Sequence, residues 1–249
     1  MNLRRSGRSW MIHFQLWIGI ALLGACDAGN DPVEQDRGYD YFPLVIGQYK
    51  VYQVDSSYYR SNIFYPVNYF LKVKTIESAV SQEGGITYVL SLEKRTAVTN
   101  PWIRLATYSA RISDDKAILA EGNTSYVKLL LPPQEGLRWN GNSFNTLGGA
   151  ETCSNSPCDL YAYQDVGKRY TLSSTMDFEN TISIEQQNSV DPIVGDDVRK
   201  EVYAKGVGLV YKESRVLKYC TEATRNCVGK KFIDSGFTYK LTIIEYGQE

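Results

Sequence analysis

From Tyr39 onward, run after run of residues alternates between apolar and polar with a period of two, and short polar turns separate the runs. Period two places successive side chains on opposite faces of an extended chain, so each run predicts a half-buried β-strand. Lys50–Asp55 and Tyr69–Thr75 alternate in this way, as do Ile86, Tyr88, Leu90 and Leu92 against Thr87, Ser91 and Glu93. Trp102–Ile112 and Lys116–Ala120 flank Asp114-Asp115, which reads as a hairpin tip because Asp favours turns. Glu121-Gly122-Asn123 turns the chain into Tyr126–Leu131, which stops at Pro132-Pro133. Later strands are predicted over Tyr170–Phe178, Thr181–Gln186, Val207–Glu213, Arg215–Cys220 and Phe237–Tyr246. No stretch sustains a 3.6-residue apolar period. Ten or so strands with short links and no helices between them give a mainly antiparallel all-β meander. Its edges must be paired or covered, so the expected architecture is a barrel, a half-barrel or a two-sheet sandwich. The 19 tyrosines suit half-buried sheet faces, each offering an apolar ring with a polar tip.

The first 25 residues are of another kind. Arg4, Arg5 and Arg8 precede an apolar run from Trp10 to Leu23, and Leu23-Gly24-Ala25-Cys26 follows. A membrane-spanning helix needs about 20 apolar residues, whereas this run is shorter and is interrupted by His13 and Gln15. It reads as a secretory signal with a cysteine where cleavage would fall. The arrangement resembles the lipobox of bacterial lipoproteins, which implies cleavage before Cys26 and a diacylglyceryl group on its thiol; ordinary secretion is the alternative. Two or more acyl chains hold a protein stably at a membrane. Residues 1–25 are therefore expected to be a signal peptide. Residues 26–38, with Asp31, Glu34 and Asp36 among Gly and Pro, read as a flexible acidic tether, and 39–249 as a single β-rich domain.

Composition then excludes several function classes. Removing the three arginines of the signal from 27 basic side chains leaves 24 against 28 acidic ones, a net charge of −4. A mildly acidic chain with no basic tract is not expected to bind nucleic acid. The single histidine, His13, falls within the signal, so the mature chain has none. Ser-His-Asp and Cys-His catalysis and imidazole-dependent zinc sites go with it. Beyond Cys26 four cysteines remain, in two pairs each close in sequence and set among turn residues. In an oxidising compartment they are expected to form Cys153–Cys158 and Cys220–Cys227. No cofactor is expected.

Tyr41-Phe42-Pro43-Leu44-Val45-Ile46-Gly47 leads into an aromatic-rich strand, and Tyr203-Ala204-Lys205-Gly206-Val207-Gly208-Leu209-Val210 lies near the other end. Both resemble segments of a family of uncharacterised Gram-negative bacterial lipoproteins, with Tyr49 where that family often has Trp. The resemblance implies an envelope location, outer membrane (periplasmic face or cell surface) rather than inner, and brings no catalytic residues. On physical grounds Gly206 and Gly208 predict a bulge or a close backbone approach, and Pro43 with Gly47 a tight bend before the first strand.

Candidate chemistry is sparse. Asp191, Asp196 and Asp197 gather around Gly195, but their spacing does not match an EF-hand loop, so a metal is not expected there. Trp102, after Pro101, reads as core. Trp139 lies in a polar stretch beside Arg138 and Asn140. If exposed near Tyr161 and Tyr163, it would form an aromatic platform for a glycan. The expected function is a non-enzymatic, membrane-anchored lipoprotein that binds an envelope protein, another envelope component or an apolar ligand on a β scaffold. The alternatives are a carbohydrate-binding accessory lipoprotein and a carboxylate-based glycosidase, which needs two acids across a groove.

Overall fold

A computed structural model describes residues 36–80, 85–145 and 160–249. Cys26, the signal segment, most of the tether, and the Cys153/Cys158 pair lie outside the described residues. Among the described residues the chain forms twelve strands: β1 (Gln48–Arg60), β2 (Ile63–Val80), β3 (Ile86–Arg95), β4 (Ile103–Ser113), β5 (Lys116–Glu121), β6 (Thr124–Leu130), β7 (Arg138–Asn140), β8 (Leu160–Thr171), β9 (Asp177–Asp191), β10 (Gly195–Ala204), β11 (Gly208–Tyr219) and β12 (Ile233–Gln248). They make one antiparallel sheet in the order β6-β5-β4-β3-β2-β1-β12-β11-β10-β9-β8-β7. The first six strands meander one way from β1, and the last six meander back to pair β12 with β1.

The sheet curls into a nearly closed barrel because its two edge strands meet. Val127 N–H of β6 donates to Gly141 O just after β7 (2.8 Å), and the Trp139 indole N–H of β7 donates back to Val127 O (2.9 Å). The Tyr163 hydroxyl donates to Leu130 O (2.6 Å) and Asn145 Nδ2 to Ser125 O (2.7 Å). Side chains thus supply what a three-residue edge strand cannot, and no long unpaired edge remains at this seam. A Cβ at Gly141 would lie within 2.6 Å of three Tyr161 ring atoms, so the chain passes the ring there only as glycine.

Residues 36–249 form one compact unit that contains two core clusters, one around the seam (Val127, Leu129, Trp139, Tyr161, Tyr163, Ile182, Ile184) and one around Tyr52, Val54, Leu71, Val202, Leu241 and Ile243. Asp36 to Gly38, counted with the tether on composition, are tied to this unit instead. Asp36 accepts the Gly38 N–H and pairs with the Lys205 ammonium, which holds its carboxyl below the usual range.

Two strand expectations, and the placing of one acidic group, need correction. Tyr170–Phe178 is not one strand: the Ser173 hydroxyl accepts the N–H groups of Thr175 and Met176 and turns the chain between β8 and β9. Val207–Glu213 and Arg215–Cys220 are one strand, β11, because buried Ser214 continues it. Of the acids gathered around Gly195, Asp196 and Asp197 belong to the start of β10, where their charges are paired (Asp196 with Arg215, Asp197 with Arg199).

The Cys220–Cys227 bridge is present as expected, with Cα atoms 5.8 Å apart, closing the link between β11 and β12. Closing so short a loop is worth about 2–2.5 kcal/mol on the chain-entropy model. Cys220→Ser with Cys227→Ser is expected to lower the thermal midpoint by roughly 4–10 °C, read by calorimetry with and without reductant.

Candidate functional site

The barrel encloses a cavity of about 470 Å³, a volume typical of small-molecule sites. Its walls follow directly from the period-two pattern. Tyr69, Leu71, Val73 and Thr75 of β2, Leu90 and Leu92 of β3, and Phe237, Tyr239 and Leu241 of β12 are alternate residues of their strands, and all face it. Tyr52, Tyr108 and Tyr203 add aromatic surface, and burial raises the pKa of each of these phenols, as it does for Tyr69 and Tyr239, so they stay neutral. The Tyr52 hydroxyl is satisfied by Leu209 O at 2.9 Å.

Most of the charge in this space is gathered in one cluster. Glu201 is 1% exposed and accepts from Lys128 Nζ (2.6 Å) and the Tyr203 hydroxyl (2.8 Å), while Lys212 Nζ lies 3.3 Å away. Burial alone would raise the Glu201 carboxyl, but the two ammonium groups and the Tyr203 hydrogen bond hold it down at about 2. Glu121 also lines the cavity and acts on both lysines. Two lysines and two glutamates therefore balance.

Lys50 stands apart from that balance. It lines the cavity from β1, and among the described residues it has no ion-pair or hydrogen-bond partner. Burial pushes its ammonium down to about 8. Lys212 lies opposite Leu241, which lies opposite Val54, four residues along β1 from Lys50. That separation is about 13 Å along the strand.

The two segments that resemble lipoprotein motifs meet at the Lys50 end. Gly206 N–H donates to Asp40 O (2.8 Å), and Gln48 Nε2 donates to Gly206 O (3.2 Å). Gly208 has φ +89°, and a Cβ there would stand 3.2 Å from Pro43 Cδ and 3.4 Å from Lys50 Nζ. The expected close backbone approach is thus the packing of one motif on the other, beside a register shift between Val202 and Tyr203. Phe42, Pro43 and Leu44 line this end of the cavity.

The structure brings Trp139, Tyr161 and Tyr163 together, with ring centroids 5.8 and 4.6 Å from the indole, yet all three are buried. The exposed aromatic platform is therefore not formed, because the indole is needed to close the seam. Trp102 is not core either: it is half-buried beneath the Arg95 guanidinium, 4.3 Å from its ring centre. Asp191 accepts the N–H groups of Ile193 and Val194, which fixes it as a turn residue. Glu201 is held ionised, the opposite of what the general acid of a glycosidase requires.

Sequence reasoning missed Lys50, Lys128, Glu201 and Lys212. Their signal is a charged residue at a position where alternation demands an inward side chain, as at Lys50, which shares its face of β1 with Tyr52 and Val54. Ser125 and Lys128 also carry a Ser-x-x-Lys spacing, but Ser125 lies opposite Ala120, whose neighbours Leu119 and Glu121 line the cavity with Lys128, so the two side chains are on opposite faces.

No family model matches the chain, and no curated protein is similar to it. Among solved structures, a crystal structure from Bacteroides fragilis of a protein described as having a YmcC-like fold, and provisionally classed as exported, aligns over 83% of this chain and 98% of its own. The identity is 12% and the TM-score 0.40, so the barrel rests on the strands themselves and not on this likeness.

Proposed function

We propose that this chain is a non-enzymatic lipoprotein of the Gram-negative envelope, anchored through acylated Cys26 and holding an apolar ligand inside its barrel. The observation that carries the reading is the aliphatic and aromatic cavity at the centre of the sheet. The lipobox-like signal and the absence of histidine from the mature chain support the envelope location and the non-catalytic role. The outer membrane is the expected site.

Two measurements test the two halves. In the producing cell, wild-type protein should fractionate with membranes and carry a diacylglyceryl mass on Cys26, and Cys26→Ala should do neither; retained acylation in that variant refutes the anchor. For the cavity, a neutral naphthylamine dye should bind with enhanced fluorescence. Leu92→Trp, which fills the space, should weaken binding about tenfold, equivalent to about 1.4 kcal/mol, without lowering the thermal midpoint. Equal binding to both proteins would place the dye elsewhere and sink the cavity reading.

A further inference from the structure

The cavity is lined by three lysines and two glutamates. Lys128 and Lys212 are matched by Glu201 and Glu121, which leaves one positive charge, on Lys50, in a largely apolar enclosure. Lys50 is partly buried, and drawing an ammonium group away from water without a partner is costly, so proteins retain such groups where they pair with something. Among the described residues nothing does so. The group sits at the end of the cavity bounded by Pro43 and Gly208, about 13 Å along β1 from the level of Lys212 in the balanced cluster. The wall beside it carries Val73 and Leu92 level with Lys50 and Leu71 one alternate position toward the cluster, on β2 and β3, away from the strands that carry Glu201 and Lys212. One end of the cavity therefore carries an unmatched point charge, with leucine and valine side chains on the wall beside it.

We propose that the ligand is a single-chain amphiphile with an anionic head, carboxylate or phosphate, whose head pairs with Lys50 and whose chain lies along the β2–β3 wall. This rests on the reading that the cavity holds an apolar ligand, and adds its charge and direction. A lysine accepts either head because it acts as a compact point charge and not as a planar fork. A cationic head would meet the Lys50 charge, and a neutral one would leave it unmatched.

The test uses residues 26–249 with Cys26→Ser, so that no attached acyl chain competes for the space. Dodecanoate, dodecyl phosphate, dodecanol and dodecyltrimethylammonium, all below micelle formation, are compared for displacement of the neutral dye. At least one anion should displace it at a concentration about tenfold below dodecanol, with the cation weakest; the stronger anion identifies the head. Lys50→Met should erase that preference, and Lys50→Arg should keep it. Equal displacement by anions and dodecanol in the wild type, or an anion preference that survives Lys50→Met, overturns the inference while leaving the cavity reading intact. Failure of the dye to bind the wild type sinks that reading instead.

Discussion

Glu201→Gln is expected to be among the most damaging single substitutions in this domain, costing about 3–5 kcal/mol. For a domain of this size that is a fall of roughly 10 °C or more in thermal midpoint. The variant keeps the shape of the side chain but leaves Lys128, itself 4% exposed, and Lys212 facing an amide. The loss is the cost of stranding buried charge, not the net worth of the ion pair. Replacing Lys128, Lys212 and Glu201 together by Met should accordingly recover most of it, since an apolar cluster of similar volume is a good substitute for a buried charge network. If the triple variant is no more stable than Glu201→Gln alone, the cluster is not acting as one unit.

The same carboxyl gives an acid signature. Its folded pKa is about 2, whereas an unfolded glutamate titrates near about 4.3. Between those values the unfolded chain binds the extra proton, so the stabilisation is fully present above about pH 4.5 and is lost as pH falls toward 2. Urea unfolding of wild type and Glu201→Gln should therefore show a gap that is widest near neutrality and narrows below about pH 4.

Trp139→Ala is expected to cost a similar amount, about 3–5 kcal/mol, but with a different distribution. The indole fills the seam between Tyr161 and Tyr163, and its N–H satisfies Val127 O. Its loss opens the line along which β6 and β7 meet. Amide exchange should accelerate first in β6 and β7, while the β1–β12 pairing, with thirteen matched residue pairs, stays protected. Trp139→Phe separates the two contributions: it keeps most of the ring and removes only the hydrogen bond, a loss of about 1–3 kcal/mol for a buried carbonyl left unmatched. Uniform acceleration across all strands would mean that the seam is not a separate line of weakness.

The strands that were legible in the sequence are those whose inward residues are apolar. β2, β3 and β12 alternate openly because their inward positions are Leu, Val, Tyr and Phe. β10 was hidden because its inward Glu201 is neutralised by Lys128, 73 residues away in sequence, and no local pattern reports such a partner. β7 was hidden because three residues are too few to show any period; what makes it a strand is the Tyr161 backbone and the Val127 carbonyl. The Cys220–Cys227 bridge was legible from spacing alone because its loop is local. The cavity was not, since it depends on which alternating faces come to confront one another once β6 and β7 meet. Trp139 shows the same limit from the other side: a polar sequence context surrounds a residue that the closed barrel buries.

The most direct measurement is methyl NMR of leucine-labelled protein titrated with dodecanoate. The account predicts shifts and chain-to-methyl NOEs at the cavity-facing Leu71, Leu90, Leu92, Leu209 and Leu241, with Leu105 and Leu160 on the outer surface unmoved. Perturbations confined to Leu105, Leu160 or other exposed methyls would contradict it, because the amphiphile would then be lying on the barrel and not within it.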